Sequence, residues 1–180
     1  TWPPILYTDY GYENWKNLPN IKSKLLEGIL VTLNIEENRE LKVRTKTSYI
    51  TEAYEKYLKA KFIYRNRKKP EDIIICQKLI KEALKLDPKL LKANIILAET
   101  YYYNGNLNKA IEIYKDCFKK SNELGDKKES GRCLNGIGNV LFEKGDLKES
   151  LEFQKKALQI REQIDDVKGL GYSLNAIGNL

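Results

Sequence analysis

Gly131-Arg132-Cys133-Leu134-Asn135-Gly136-Ile137-Gly138-Asn139-Val140 returns 40 residues later as Gly171-Tyr172-Ser173-Leu174-Asn175-Ala176-Ile177-Gly178-Asn179-Leu180, with six of the ten positions identical. A further step of 40 upstream from Gly138 lands on Ala98, within Leu97-Ala98-Glu99-Thr100-Tyr101. The next segments keep the same spacing: Asn104-Gly105-Asn106-Leu107-Asn108-Lys109-Ala110 aligns with Lys144-Gly145-Asp146-Leu147-Lys148-Glu149-Ser150. Self-similarity at a fixed period of this length marks units that cannot bury their apolar faces alone and must stack on one another.

Each unit reads as two helices around a tight turn. Leu134, Ile137, Val140 and Leu141 recur at three- and four-residue spacing, the period of one buried helical face. Gly145 supplies the backbone freedom to end that helix, and Asp146 stands where the next is capped. The second helix carries Leu147, Ser150, Leu151, Phe153, Ala157, Leu158 and Ile160 between charges. Small residues mark close approach: Ala98, Gly138 and Gly178 in first helices, Ala110 or Ser150 and Cys117 or Ala157 in second ones. A helical glycine costs about 1 kcal/mol relative to alanine, so its return suggests packing that offsets the cost.

These residues resemble the tetratricopeptide repeat. Residues 91–124 carry the pattern through Leu97-Ala98, Tyr101, Gly105, Ala110, Tyr114 and Cys117, and residues 131–164 through Leu134, Ile137-Gly138, Leu141, Gly145, Ser150, Phe153 and Ala157. A further unit starts at 168–180, and a degenerate one over 49–88 ends in Leu86-Asp87-Pro88. The period is 40 rather than the family's 34, and neither good unit has a closing proline, which is similar to kinesin light chain and LGN-type scaffolds. The resemblance implies an all-α, right-handed superhelical solenoid of antiparallel helix pairs over 49–180. Residues 1–48 are expected to be a remnant of a preceding domain or a linker, with an aromatic stretch over 1–19 and a capping helix over 20–33. Residues 20–88, with Ala53-Tyr54-Glu55-Lys56-Tyr57-Leu58, also resemble the first repeat behind the effector domains of bacterial class III adenylate cyclases and related serine/threonine kinases.

Composition narrows the function. The chain contains no histidine, which removes histidine general bases, Ser-His and Cys-His nucleophile pairs and nearly all zinc and haem sites. Cys76, Cys117 and Cys133 are far apart and form no CxxC pair; Cys76 and Cys117 read as buried core thiols. No Gly-rich phosphate loop or paired-acid motif is present, so the chain is expected to be no enzyme and to need no cofactor or metal. The excess of 32 basic over 25 acidic residues gives +7. It collects in Lys42-Val43-Arg44-Thr45-Lys46 and Arg65-Asn66-Arg67-Lys68-Lys69. Both runs read as inter-helix loops without aromatics to stack on bases, which disfavours nucleic acid. No apolar run approaches the roughly 18 residues of a membrane span, and no leader is evident, so a cytoplasmic setting is expected.

What remains is binding. The concave wall of such a stack is lined by first helices. Asn135 and Asn139 lie four apart on one face, and Asn175 and Asn179 repeat the arrangement. Each amide offers a donor and an acceptor, enough to pair with the backbone of an extended peptide; the same asparagines could instead bridge neighbouring helices. The preceding unit has Ile95 and Glu99 at these places. Arg132 and Lys92 stand where a groove mouth would favour acidic partners. On the peptide reading, Asn139→Ala weakens binding while melting changes little. The expected function is thus a protein-interaction scaffold. Its alternatives are a regulatory segment of a bacterial cyclase or kinase, and self-association through the C-terminal end.

Overall fold

In the computed structural model, residues 37–180 are described, with side chains from Ser48 onward. Among the described residues there are seven α-helices and no strand: α1 (Glu37–Arg65), α2 (Pro70–Leu86), α3 (Leu91–Tyr103), α4 (Leu107–Glu123), α5 (Lys127–Glu143), α6 (Leu147–Gln163) and α7 (Val167–Gly178). The chain divides into two compact units, Thr1–Lys46 and Thr47–Leu180; the second holds the repeats. The aromatic stretch over 1–19 and the capping helix expected over 20–33 lie outside the described residues. None of the described helices is long and apolar enough to cross a membrane.

The architecture is an all-α repeat solenoid of antiparallel helix pairs. From α2 to α7 each helix packs on the next in sequence, and first helices also touch across units, α3 on α5 and α5 on α7. The turns follow from glycine. Gly105, Gly125 and Gly145 adopt φ of 72°, 67° and 83°, the left-handed region that an L side chain enters only at a cost. The equivalent turn after α6 is made by Asp165, which carries φ 51° without glycine's freedom. Asn106, Asp126 and Asp166 then accept a backbone N–H of the following turn and cap α4, α5 and α7. Asp146 occupies the N-cap of α6 but makes no side-chain bond there, contrary to its expected capping role.

Two apolar clusters hold the stack. One joins Tyr57 and Ala60 of α1, Cys76, Ile80 and Ala83 of α2, and Ala93 and Ile96 of α3. The other joins α3, α4 and α5 through Ile95, Ala98, Ala110, Tyr114, Cys117, Cys133 and Ile137. Cys76 and Cys117 are fully buried, as their small-residue positions implied. Burial pushes the Cys76 thiol up to about 12. Arg67 closes the enlarged turn after α1. Its guanidinium lies 4.3 Å from the Tyr64 ring centre and 4.6 Å from that of Tyr103, a cation–π sandwich that ties α1 to the end of α3.

Two sequence expectations fail here. The basic run at 42–46 is helical, inside α1, rather than a loop. Lysine and arginine are good helix formers, and solvated charge alone does not break a helix. On α6 the buried stripe is Ser150, Gln154, Ala157 and Arg161; Leu147 is half exposed, and Leu151, Phe153, Leu158 and Ile160 are only partly covered. The core face of α6 is thus polar, and its polar groups must find partners inside the stack.

Candidate functional site

The first helices α1, α3 and α5 bring their polar residues within electrostatic reach of one another. Lys61 of α1 is held below its usual pKa by burial and by the neighbouring charges of Arg65, Arg132 and Lys92. Its ammonium stands 5.6 Å from the centre of the Tyr57 ring. The Tyr57 phenol is raised by burial, opposed by Arg132. Glu99 of α3 faces Arg132 of α5 directly: Nε and Nη2 of Arg132 both donate to Oε1 of Glu99, at 2.9 and 2.7 Å. Arg132 also reaches Glu129, one turn earlier, at 3.4 Å. Burial works against its charge, but Glu99 and Glu129 together overcome that and hold the guanidinium above its ordinary range. Arg132 is therefore engaged by two carboxylates of its own chain. The acidic-partner expectation shifts to Lys61 and Lys92, for which no ion pair occurs among the described residues.

Asn135 and Asn139 are brought together by a residue that hydropathy patterning does not single out. Gln154 of α6 is 1% exposed and lies over Gly138, where a Cβ would stand 2.5 Å from its Nε2 and 2.8 Å from its Cδ. Its Oε1 accepts from Nδ2 of Asn135, while its Nε2 donates to the Asn135 carbonyl oxygen at 3.2 Å and to Oδ1 of Asn139 at 2.8 Å. One turn earlier, Ser150 Oγ donates to the Gly138 carbonyl at 2.8 Å. Glycine at 138 is thus required by close approach: any side chain would displace the glutamine. The bridging runs within one helix pair. Because Asn139 holds Gln154, its replacement is expected to cost stability as well, which corrects the expectation that melting would change little.

After these bonds each asparagine keeps one half of its amide. Oδ1 of Asn135 and Nδ2 of Asn139 have no protein partner, and both residues are partly exposed. One acceptor and one donor, four residues apart and fixed from below, match the N–H and C=O of a peptide backbone. Asn175 of α7 and Asn179, the residue that ends it, lie 40 positions on and are exposed, with nothing bridging them among the described residues. In the preceding unit Tyr114 takes the place of Gln154, but its ring faces forward into α5. A Cβ on Gly136 would meet that ring at 2.5 Å.

Arg161 is the second residue missed by hydropathy. It is 3% exposed, and its Nη1 donates to the Gly169 carbonyl and to Ser173 Oγ, each at 2.7 Å, joining α6 to α7. Burial lowers its pKa, opposed by Asp166. The counterpart junction between α4 and α5 uses Ser121 and Ser130, whose hydroxyls are 2.7 Å apart. A signal for both residues exists in the repeat itself, since 114 aligns with 154 and 121 with 161; Tyr114 and Arg161 face the following first helix, whereas Gln154 faces back onto α5 of its own unit.

Residues 89–163 match the family model of the tetratricopeptide repeat. The match begins downstream of residues 20–88, the stretch resembling cyclase- and kinase-linked repeats. No curated protein matches the chain. Among solved structures, the chain is similar to the N-terminal domain of stress-induced protein-1 (STI-1) from C. elegans, at 16% identity over 68% of this chain and 97% of that one, with a TM-score of 0.53. At that identity the likeness bears on the fold alone.

Proposed function

We propose that the chain is a non-catalytic protein-interaction scaffold that holds an extended peptide along its first helices, α1, α3, α5 and α7. The observation that carries the reading is the pair of half-used amides on α5. Gln154 fixes Asn135 and Asn139 from beneath, so the row need not be ordered when a peptide arrives; such preorganisation lowers the entropic cost of binding. Asn175 and Asn179 continue the row one unit later. Upstream, the Glu99–Arg132–Glu129 cluster replaces the ladder and sets register, and Lys61 and Lys92 favour acidic side chains there. The repeat match over 89–163 supports a scaffold of this kind.

The test is a peptide array of extended sequences, followed by anisotropy titration of the best binder. Asn135→Ala and Asn139→Ala should each weaken it by about 1–3 kcal/mol, because partner groups on the peptide lose their hydrogen bonds. A binder whose affinity ignores both substitutions places the contact elsewhere and overturns the reading.

A further inference from the structure

Asparagine followed by glycine occurs twice in the chain, as Asn104-Gly105 and Asn135-Gly136. In such a pair the backbone nitrogen belongs to a residue without a Cβ, so it reaches the preceding side-chain amide unhindered. The fold treats the two copies in opposite ways. Asn104 ends α3 and is exposed, and its side-chain amide makes no hydrogen bond among the described residues. Gly105 follows at φ 72°, and its N–H is tied by one bond, to the Tyr102 carbonyl at 3.0 Å. Asn135 sits inside α5, with its side chain and its carbonyl both held by Gln154. Gly136 is buried under the Tyr114 ring, which a Cβ would meet at 2.5 Å.

We infer that Asn104 is a site of spontaneous modification, where the side-chain amide closes on the Gly105 nitrogen and water turns it into a carboxylate. The Gly105 nitrogen gives its proton to water and attacks Cγ of Asn104. The N–Cγ bond forms, the Cγ–Nδ2 bond breaks, and Nδ2 leaves as ammonia, taking up a proton in place of the one released. Water then opens the cyclic imide at either of its carbonyls. One opening gives aspartate, and the other gives isoaspartate, with the chain rerouted through the side chain. The sum is amide plus water to acid plus ammonia, and no other reactant is needed. At Asn104 ψ is 8°, so the nitrogen must first swing toward Cγ. That swing breaks one bond of the attacking N–H at a solvated helix end, where local opening costs little. At Asn135 it requires unwinding the middle of α5 and displacing Tyr114 and Gln154. The carboxylate formed at 104 enters the open groove that Asn104 shares with Asn108 and Lys144, whose Nζ donates to Asn108 Oδ1 at 3.2 Å. It gives that lysine a charged partner. The inference concerns the α3–α4 turn and does not rest on the peptide reading.

The test incubates the full chain in mildly alkaline buffer, folded and in parallel in concentrated urea. Trypsin then releases 93–109 and 133–144, which carry the two pairs, and mass spectrometry with electron-transfer fragmentation locates each acid and separates aspartate from isoaspartate. In the folded chain Asn104 should convert at least tenfold faster than Asn135, a gap of about 1.4 kcal/mol or more in opening cost. Isoaspartate should be among its products. In urea the two rates should converge, because both pairs are then unrestrained. Gly105→Ala, measured in urea so that its effect on the turn plays no part, should slow conversion at 104 and leave 135 unchanged. Comparable rates at the two sites in the folded chain overturn the proposal, as does an Asn104 that converts in urea but stays intact when folded. Aspartate without isoaspartate, or a rate at 104 indifferent to Gly105→Ala, overturns the ring closure. Failure of the extended-peptide array leaves these outcomes untouched.

Discussion

Gly138 and Gly178 are the same residue in two successive units, yet the structure assigns opposite outcomes to the same substitution. At 138 an alanine Cβ falls 2.5 Å from Gln154 Nε2, 2.8 Å from Cδ and 3.1 Å from Cγ, with the glutamine sealed in place at 1% exposure. The amide must leave, and three hydrogen bonds go with it. At about 1 kcal/mol each this costs about 3 kcal/mol. Alanine's helix preference returns about 1 kcal/mol. The expected net loss of about 2 kcal/mol corresponds to roughly 4–8 °C in melting temperature for a chain of this size. Gly178→Ala meets nothing within 4 Å and, at the last residue of α7, should stabilise by only a fraction of the helix-interior value of about 1 kcal/mol. Thermal and urea melts of both variants give the comparison. A double-mutant cycle sharpens it: with Gln154→Ala already present, Gly138→Ala should turn stabilising, because the atom it strikes is gone. If Gly138→Ala raises the melting temperature in the parent chain, the packing of Gln154 on Gly138 is wrong.

Other expectations follow from neighbouring contacts. Gly136→Ala drives a Cβ to 2.5 Å from the Tyr114 ring and should destabilise by about 1–3 kcal/mol in a urea melt, as overpacking does. Asp165→Gly relieves a left-handed backbone where the three other turns already use glycine, and should raise stability by up to about 1 kcal/mol. Alkaline stability should fall early. Burial raises Tyr57, Tyr64, Tyr102 and Tyr114, Tyr102 to about 12, from an ordinary value of 10.0. The unfolded chain therefore gives up these protons first, and stability present below about pH 10 is lost as pH climbs toward about 12. Melts across that range, followed with tyrosinate absorbance, check the sign: a melting temperature that holds or rises would contradict it.

The helix pairs were legible because the period of 40 repeats side chains and turn glycines together. Leu134, Ile137, Val140 and Leu141 sit in the core where their spacing put them. The site was legible only in outline. The asparagines are seen in sequence as a ladder, but the side chain that organises them, Gln154, is polar and falls outside any apolar stripe. Arg161 escaped for the same reason. Arg132 read as a free cation because its partner Glu99 lies 33 residues away, on another helix. The basic run at 42–46 misled in the opposite direction, since clustered charge resembles a loop in composition while favouring a helix in propensity.

The plugs at 114 and 154 have a consequence for how the protein can change over generations. Tyr114 requires the hole that Gly136 leaves, and Ala176 leaves none of that size; Gln154 requires amides that Ile95 and Glu99 would not supply. Each unit is therefore matched to its place in line, although their backbones are alike. Swapping one for the other, or inserting a duplicate between them, would set a bulky ring against a methyl group or strand an amide beside an isoleucine. Growth by duplication is admissible only where both sides of the new seam mutate together.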